Sequence, residues 1–129
     1  MEEETLERLL DAANEACSHS YSPYSNFAVG AAVLAASGRI YSGTNVENAS
    51  YGATICAERV AVVKAVSEGE NKILAIAVYT PSASLAFPCG MCLQVLSEFA
   101  EDIPVILADE GGMKTYRLYE LLPHRFGEQ

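Results

Sequence analysis

The stretch that decides the fold runs from Lys72 to Ala108 and reads KILAIAVYTPSASLAFPCGMCLQVLSEFAEDIPVILA. Its two ends, KILAIAVYT and IPVILA, are short apolar runs that are typical of buried strands. Between them, CGMCLQVLSEFA has the length and composition of a core helix. Strands that are joined through a helix pair in parallel by a right-handed crossover, so this stretch predicts one parallel strand pair.

The flanking segments add three more strands and two more helices. Apolar residues at helical spacing predict an amphipathic helix at the start of the chain, and the helix that begins near Cys56 should end at Gly69. Predicted strands occupy residues 27–36, 39–47 and 113–119, before a short LLPHRF tail. The order α-β-β-α-β-α-β-β predicts an α/β fold, an α-β-α sandwich around a mixed five-stranded sheet.

Length and composition favour a single globular domain over residues 1–129. Half of the residues are hydrophobic and 19% are charged, which is typical of a folded chain. The net charge of -9, with only scattered Lys and Arg, opposes binding to a nucleic acid polymer. We find no membrane-spanning run and no signal peptide, so we expect a cytoplasmic protein without a membrane partner. In that compartment cysteines are expected as thiols or metal ligands rather than disulfides.

Three of the four cysteines lie where predicted helices begin. Cys89 and Cys92 form a C-x-x-C pair whose sulfurs can face one side of a helix start, and Cys56 begins the other helix. Three protein ligands and an open fourth position are typical of a catalytic zinc site, whereas a structural site uses four ligands. Cys17 lies on the apolar face of the first helix and is expected in the core. The sequence therefore predicts one Zn2+ held by three thiolates, which two helix N-termini help to keep deprotonated.

Glu58 and Arg59 follow Cys56 closely enough to act at the same site. A carboxylate beside a zinc-activated water can take its proton and pass it to a substrate, so Glu58 is the predicted catalytic residue. Side chains two residues apart in a regular helix point to nearly opposite sides. The pair can therefore work together only if Cys56 lies in a loosely wound first turn. Arg59 is predicted to donate hydrogen bonds to a thiolate and to offset its charge.

Together these segments resemble a known family. CAE (56–58) followed by PCGMC (88–92) resembles the zinc-dependent cytidine deaminases, in their small form with three cysteine ligands. The resemblance covers nearly the whole chain through YSPYSNFAVGAA, GTNVENASYG, CAER, PCGMCLQVLSEF and ELLP, in the family's order. It implies a cytidine deaminase-like fold, which agrees with the order of elements predicted above.

The resemblance also implies a reaction. Cytidine and 2'-deoxycytidine would be deaminated by water to uridine and 2'-deoxyuridine, with release of ammonia, in pyrimidine salvage. Glu58 would protonate the ring nitrogen N3, assist attack at C4 and later give a proton to the leaving ammonia. The backbone amide of Ala57 and the carbonyl of Pro88 would orient the base, and Phe27 matches an aromatic residue that packs on the pyrimidine.

Further contacts implied by the resemblance involve the sugar and a second copy of the chain. Asn45 and Glu47 match a pair that hydrogen-bonds a ribose hydroxyl, and alternation along a strand would put both on one face. Tyr51 and Phe126 match residues that small family members contribute to a neighbouring subunit's site. The resemblance thus implies a homotetramer with shared active sites and one zinc ion per subunit.

One residue departs from the family's pattern. Many members have arginine directly after the second cysteine of the pair, where this chain has Leu93. If that arginine offsets thiolate charge, Arg59 and the helix dipoles carry more of this task here. Alternatively, Leu93 simply faces the core or a subunit contact.

Two other functions are compatible with the zinc motif. Deamination of a cytosine-type antibiotic such as blasticidin S would use the same chemistry. Asn45 and Glu47 favour a nucleoside instead, because a site built for hydroxyls discriminates against substrates without them. A zinc-stabilised binding module without catalysis would leave Glu58 without a role, and the negative net charge opposes RNA as its ligand.

Overall fold

In the computed structural model, which describes residues 1–82 and 84–127, five strands form one mixed sheet. The helices and strands are α1 Glu3–Cys17, β1 Gly30–Ala35, β2 Ile40–Thr44, α2 Ala57–Ser67, β3 Ile73–Tyr79, α3 Gly90–Glu98, β4 Pro104–Asp109, β5 Gly112–Arg117 and α4 Leu118–Leu121. A short 3-10 turn, Tyr51–Ala53, precedes α2. None of the helices in this part of the chain is long and apolar enough to cross a membrane.

The strands are arranged in the order β2-β1-β3-β4-β5. β3 and β4 pair in parallel, from Ile76 opposite Val105 to Tyr79 opposite Ala108, and α3 connects them. The other neighbouring strands pair antiparallel. The parallel pair predicted from the stretch between Lys72 and Ala108 is therefore confirmed, as is the mixed sheet flanked by helices.

Alternate residues of the central strands face two separate hydrophobic layers. Helix α1 covers one face of the sheet, where the buried residues are Leu9, Ala13, Ala32, Ala75, Ala77 and Ile106. Helices α2 and α3 cover the opposite face, which includes Ala31, Val33, Ile76, Val78, Val105 and Leu107. Cys17 is a free, buried thiol at the end of α1, as predicted. The period-two alternation of strands thus produces the α-β-α sandwich.

Two glycines let helices approach the sheet closely. A Cβ atom at Gly30 would lie 1.9 Å from the carbonyl oxygen of Ala13 in α1. A Cβ at Gly43 would lie 2.6 Å from the backbone nitrogen of Ala61 in α2. These contacts leave no room for a larger residue, so glycine sets the distance of each helix from the sheet.

Two predicted strands end earlier in the structure than in the prediction. β5 stops at Arg117 because the Leu118 N–H donates to the carbonyl oxygen of Ile103 and α4 begins there. β2 stops at Thr44, and Val46 makes only isolated bridges beyond it. The predicted helix end at Gly69 is confirmed, since this residue has a φ of 94° directly after the C-cap of α2.

Candidate active site

The side chains of Cys56, Cys89 and Cys92 converge where α2 and α3 begin. The Sγ atoms of Cys56 and Cys89 are 4.0 Å apart, those of Cys89 and Cys92 are 3.5 Å apart, and all three lie within 4.8 Å of one another. Zn–S bonds of about 2.3 Å in a tetrahedron place sulfur atoms about 3.8 Å apart. The cluster therefore fits a zinc ion bound by three thiolates.

Each of the two helices begins immediately after one of these cysteines. Cys56 and Cys89 are the N-cap residues of α2 and α3, with extended backbones whose ψ angles are 153° and 166°. The first-turn N–H groups of a helix lack partners within it and carry the positive end of its dipole, which stabilises thiolates nearby. Cys56 does not lie in a loosely wound first turn, as the sequence analysis required, but precedes the regular helix as its N-cap, so the helical spacing that would put Glu58 on the opposite side does not apply to this pair.

The three sulfurs do not ionise independently. Hydrogen bonding from Cys92, together with a hydrogen bond from Arg59 and its positive charge, lowers the pKa of the Cys56 thiol to about 5. The bond to Cys56 and burial raise the pKa of Cys92 above its usual value. Three adjacent thiolates therefore require a compensating cation, which Zn2+ supplies.

Arg59 approaches the cluster from the first turn of α2. Its Nη2 atom lies 3.7 Å from the Sγ of Cys56 and 3.4 Å from the carbonyl oxygen of Thr54. The hydrogen bond to Cys56 raises the pKa of Arg59, so the guanidinium stays charged. Its Nε atom is buried and has no hydrogen-bond partner among the described residues. The side chain lies where sequence analysis predicted a donor to a thiolate.

Glu58 is a buried carboxyl beside the sulfur cluster, with only 6% of its surface exposed. Burial raises its pKa to about 7, and the negative charge of Cys56 adds to the effect. A carboxyl that titrates near neutral pH can both accept and release a proton under physiological conditions. Its environment therefore suits the predicted role in proton transfer.

A cavity of about 460 Å³ lies beside the cluster. Its lining consists of Ser25, Phe27, Val29, Asn45, Glu47, Thr54, Cys56, Ala57, Glu58, Ala86, Phe87 and Cys89. The structure thus brings four of the predicted substrate contacts into one space with two of the metal ligands, Cys56 and Cys89: these contacts are Phe27, Asn45, Glu47 and Ala57.

The three remaining predicted contacts lie elsewhere. Tyr51 lines a second cavity of about 350 Å³, which shares Ser25, Glu47 and Thr54 with the first. Pro88 does not line the main cavity, although its two neighbours in the sequence do. Phe126 lines neither cavity, and its ring is 90% exposed.

Asn45 and Glu47 lie beyond the end of β2 but still face the same cavity. Asn45 Oδ1 accepts a hydrogen bond from the Val29 N–H at 3.0 Å, and one N–H of its Nδ2 donates to the Phe27 carbonyl at 2.8 Å. Only one of the two Nδ2 N–H groups has a hydrogen-bond partner among the described residues. Glu47 accepts hydrogen bonds from the Tyr24 and Ser25 N–H groups and from the Ser25 hydroxyl. The Ser25 hydroxyl and the two N–H groups hold the pKa of Glu47 below its usual value.

Comparison with known proteins identifies the family. The sequence profile described as "Cytidine and deoxycytidylate deaminase zinc-binding region" matches residues 3–107. This chain belongs to that family. A cytidine deaminase of Sporosarcina psychrophila is 41% identical over 126 residues, covering 96% of this chain and 93% of the relative. A crystal structure of cytidine deaminase from Burkholderia pseudomallei matches with a TM-score of 0.89 at 38% identity, covering 98% of this chain and 100% of that one.

The relatives confirm the fold and the resemblance that the sequence indicated. Membership in a zinc-binding deaminase family agrees with the three-cysteine cluster, so zinc is the cofactor. A blasticidin-S deaminase of Bacillus cereus is also similar, but at 32% identity and over 76% of each chain. Its identity to this chain is therefore lower than that of the cytidine deaminase of Sporosarcina psychrophila.

Leu93, the departure from the deaminase pattern, packs into the core. It is 5% exposed and belongs to the hydrophobic layer under α2 and α3. An aliphatic side chain in this position donates no charge to the sulfurs. Within the described residues, compensation for the thiolates comes from Arg59 and from the helix N-termini.

Sequence reasoning missed several residues of the cavity lining. Phe87 lines the cavity and is 53% exposed. It stands directly before Pro88, so its position next to the cysteine motif could have indicated that it lies at the site. Ser25 became visible only in the structure, because its hydroxyl bonds to Glu47 across 22 positions of the sequence. Thr54 precedes Cys56 by two residues but belongs to no sequence motif that would indicate its place in the cavity.

Proposed function

We propose that this chain is a cytidine deaminase, which converts cytidine and 2'-deoxycytidine to uridine and 2'-deoxyuridine with release of ammonia. One observation carries the proposal: the buried carboxyl of Glu58 lines the same cavity as Cys56 and Cys89 and as Asn45 and Glu47. Metal ligands, a proton carrier and hydroxyl-binding groups thus share a space of about 460 Å³, within the usual range for small-molecule sites. The family and the identity to cytidine deaminases support it.

The reaction requires two proton transfers, and Glu58 can carry out both. Zinc bound by the three sulfurs lowers the pKa of water and so supplies a nucleophile near neutral pH. Glu58 takes the proton of the attacking water and gives a proton to N3 of the pyrimidine, which makes C4 more electrophilic. It then transfers the hydroxyl proton to the amino group at C4, which leaves as ammonia while C4 becomes a carbonyl. A pKa of about 7 suits both directions of transfer.

Backbone groups near the sulfurs orient the base. Ala57 is the first residue of α2, so its N–H has no partner within the helix and can donate to the pyrimidine carbonyl. The carbonyl oxygen of Pro88, which lies between the cavity-lining residues Phe87 and Cys89, would accept a hydrogen bond from the amino group. Phe27, 40% exposed in the wall of the cavity, packs on the ring.

The sugar-binding end favours a nucleoside over a nucleotide. Asn45 donates its remaining N–H to a ribose hydroxyl, and Glu47 accepts a hydrogen bond from it. None of the described residues that line the two adjoining cavities is Lys or Arg, and Glu47 is shared by both. A 5'-phosphate would therefore meet negative charge without compensation. We expect deoxycytidylate to be a poor substrate.

A subunit assembly completes the proposal. Tyr51 is 75% exposed and Phe126 is 90% exposed, which suits contact with another copy of the chain. We propose a homotetramer in which these residues reach a neighbour's site, with one catalytic domain and one zinc per chain. Pyrimidine salvage in the cytoplasm fits free nucleosides as substrates and cysteine ligands that must stay reduced.

The first test follows ultraviolet absorbance of cytidine with zinc-loaded protein, beside Glu58→Ala. We expect loss of cytidine with the wild type and none above background with the variant. Equal rates in both would refute the role of Glu58, and no reaction in either would refute the proposed function.

Blasticidin S is the comparison substrate, because the chain also resembles a blasticidin-S deaminase. Each compound is supplied to the wild type at equal concentration. Faster turnover of the antibiotic than of cytidine would replace the proposed function by antibiotic deamination.

A further inference from the structure

We infer that Gln94 is a positioning residue that holds Phe126 for contact with a neighbouring copy of the chain. This inference rests on the proposed function, in which the Phe126 ring reaches the neighbour's substrate site. What it adds is the residue that sets the position of that ring.

The side-chain amide of Gln94 forms hydrogen bonds with both the N–H and the carbonyl oxygen of Phe126. Its Nε2 donates to the Phe126 carbonyl oxygen at 3.1 Å, and its Oε1 accepts from the Phe126 N–H at 3.0 Å. A neighbouring strand in an antiparallel sheet binds a residue in the same two-bond manner. The amides of Asn and Gln place an N–H donor and a carbonyl acceptor side by side on one planar group that does not titrate, so the contact depends on residue type.

The two bonds hold the backbone while the ring faces outward. Phe126 is 90% exposed, although phenylalanine is among the residues most often buried. The adjacent guanidinium of Arg125 lies 4.7 Å from the centroid of the Tyr119 ring and attaches the segment at a second point. Ordering a large apolar side chain in water costs conformational entropy, and burial of the ring against a second copy would offset this free-energy cost.

Gln94 also connects this segment to the metal site. It follows Cys92 by two residues in α3, so this short helix and its N-cap residue, Cys89, carry two of the zinc ligands and the contact to Phe126. Phe126 lines neither cavity beside the sulfur cluster of its own chain. In a symmetric oligomer, a ring held at a defined distance from its own α3 is also held at a defined position relative to the neighbour's site.

A double-mutant cycle on the zinc-loaded protein tests the inference. Gln94→Met keeps the size of the side chain and removes both hydrogen bonds. We expect it to raise KM for cytidine about fivefold with kcat within about twofold of the wild type. In a Phe126→Ala background the same change should alter KM by less than about twofold, because no ring remains to be positioned. Gln94→Glu, which retains only the acceptor, should lie between the wild type and Gln94→Met.

An unchanged KM in Gln94→Met would overturn the inference, and so would an effect of the same size in both backgrounds. Hydrogen exchange gives a readout that does not need activity. The Phe126 amide should exchange at least about tenfold faster in Gln94→Met than in the wild type, and equal rates would also overturn the inference. If the wild type does not deaminate cytidine while the exchange rates differ as expected, the proposed function fails and the contact between Gln94 and Phe126 stands.

Discussion

The sulfur atoms of Cys56 and Cys89 lie 4.0 Å apart although 33 positions separate the two residues in the chain. Each is the N-cap residue of a different helix, so two helix N-termini point at one cluster. The positive ends of both helix dipoles therefore lie next to the thiolates. Cys92, in the first turn of α3, is the third sulfur ligand of the cluster.

Zinc removal should make the exposed thiols of the cluster reactive. A thiol reagent should react with few groups quickly in the zinc-loaded protein and with about two after chelation, because Cys56 and Cys89 lose their metal and are accessible. Cys92 and Cys17 should react slowly, since they are 2% and 7% exposed and the pKa of each thiol is raised. The control is Cys17→Ala, which should leave the fast phase unchanged. A count that stays low after chelation and rises only with a reductant would instead indicate disulfides.

Replacing Arg59 should weaken zinc binding. Its guanidinium lies 3.7 Å from the Sγ of Cys56, and loss of such a contact typically lowers metal affinity by about 10- to 100-fold. We expect Arg59→Gln to show this loss in competition with a chromophoric chelator, and Arg59→Lys to show a smaller one. Lys64→Gln, an exposed change of equal charge in the same helix, is the matched control. Equal losses in Arg59→Gln and Lys64→Gln would point to net charge rather than to the contact.

The raised pKa of Glu58 should make the stability of the zinc-free protein depend on pH. The folded pKa of about 7 exceeds the usual 4.5, so the folded state binds more protons between these values. The contribution of Glu58 to the free energy of unfolding is therefore fully present below pH 4.5 and is lost as pH rises toward 7. The difference of 2.5 between the two pKa values corresponds to about 3 kcal/mol in the free energy of unfolding.

The comparison that isolates this effect is with Glu58→Gln, which does not titrate. Urea unfolding of both proteins at several pH values should show the wild type losing stability relative to the variant as pH rises from 4.5 to 7. A constant difference across this range would contradict the raised pKa of Glu58.

Glu47 should recognise a sugar hydroxyl. Hydrogen bonds keep its carboxylate ionised, and it lines the cavity near Asn45. Glu47→Gln should raise KM for cytidine by about tenfold or more but should change KM for 2',3'-dideoxycytidine little, because that substrate lacks the hydroxyl. Asn45 is less suitable for this test, since its amide also holds the backbones of Phe27 and Val29. An equal rise for both substrates would show that Glu47 acts through the structure of the site.

Gly30→Ala should destabilise the protein. The added Cβ would meet the Ala13 carbonyl oxygen at 1.9 Å, so α1 must move away from the sheet. We expect a loss of about 2 kcal/mol or more in the free energy of unfolding, measured with denaturant. Gly52→Ala is the control, because a Cβ there meets nothing within 4 Å. Similar stabilities for the two variants would contradict the close packing of α1 on β1.

Features that depend on residues near one another in the sequence were predicted correctly, whereas features that depend on contacts between distant residues were not. Strands β3 and β4 and the intervening helix were predictable because apolar runs and their spacing are properties of neighbouring residues. The end of β5 was not, because it depends on a hydrogen bond from Leu118 to Ile103, which lies 15 residues earlier. Likewise, only the structure placed Leu93 in the core rather than at a contact between subunits.

By itself, the sequence determined the order of the five strands and the first three helices, the mixed sheet, the family and the three cysteine ligands, because each of these is encoded in local patterns of residue type. The tertiary structure alone decided that Cys56 precedes its helix, that Glu58 is buried enough to titrate near neutral pH and that Gln94 holds Phe126. These features depend on distances and burial between segments far apart in the chain. A pattern of neighbouring residues identifies the functional groups of a site. Tertiary packing sets the distances between these groups and their exposure to water, and distance and exposure determine their pKa values and reactivity.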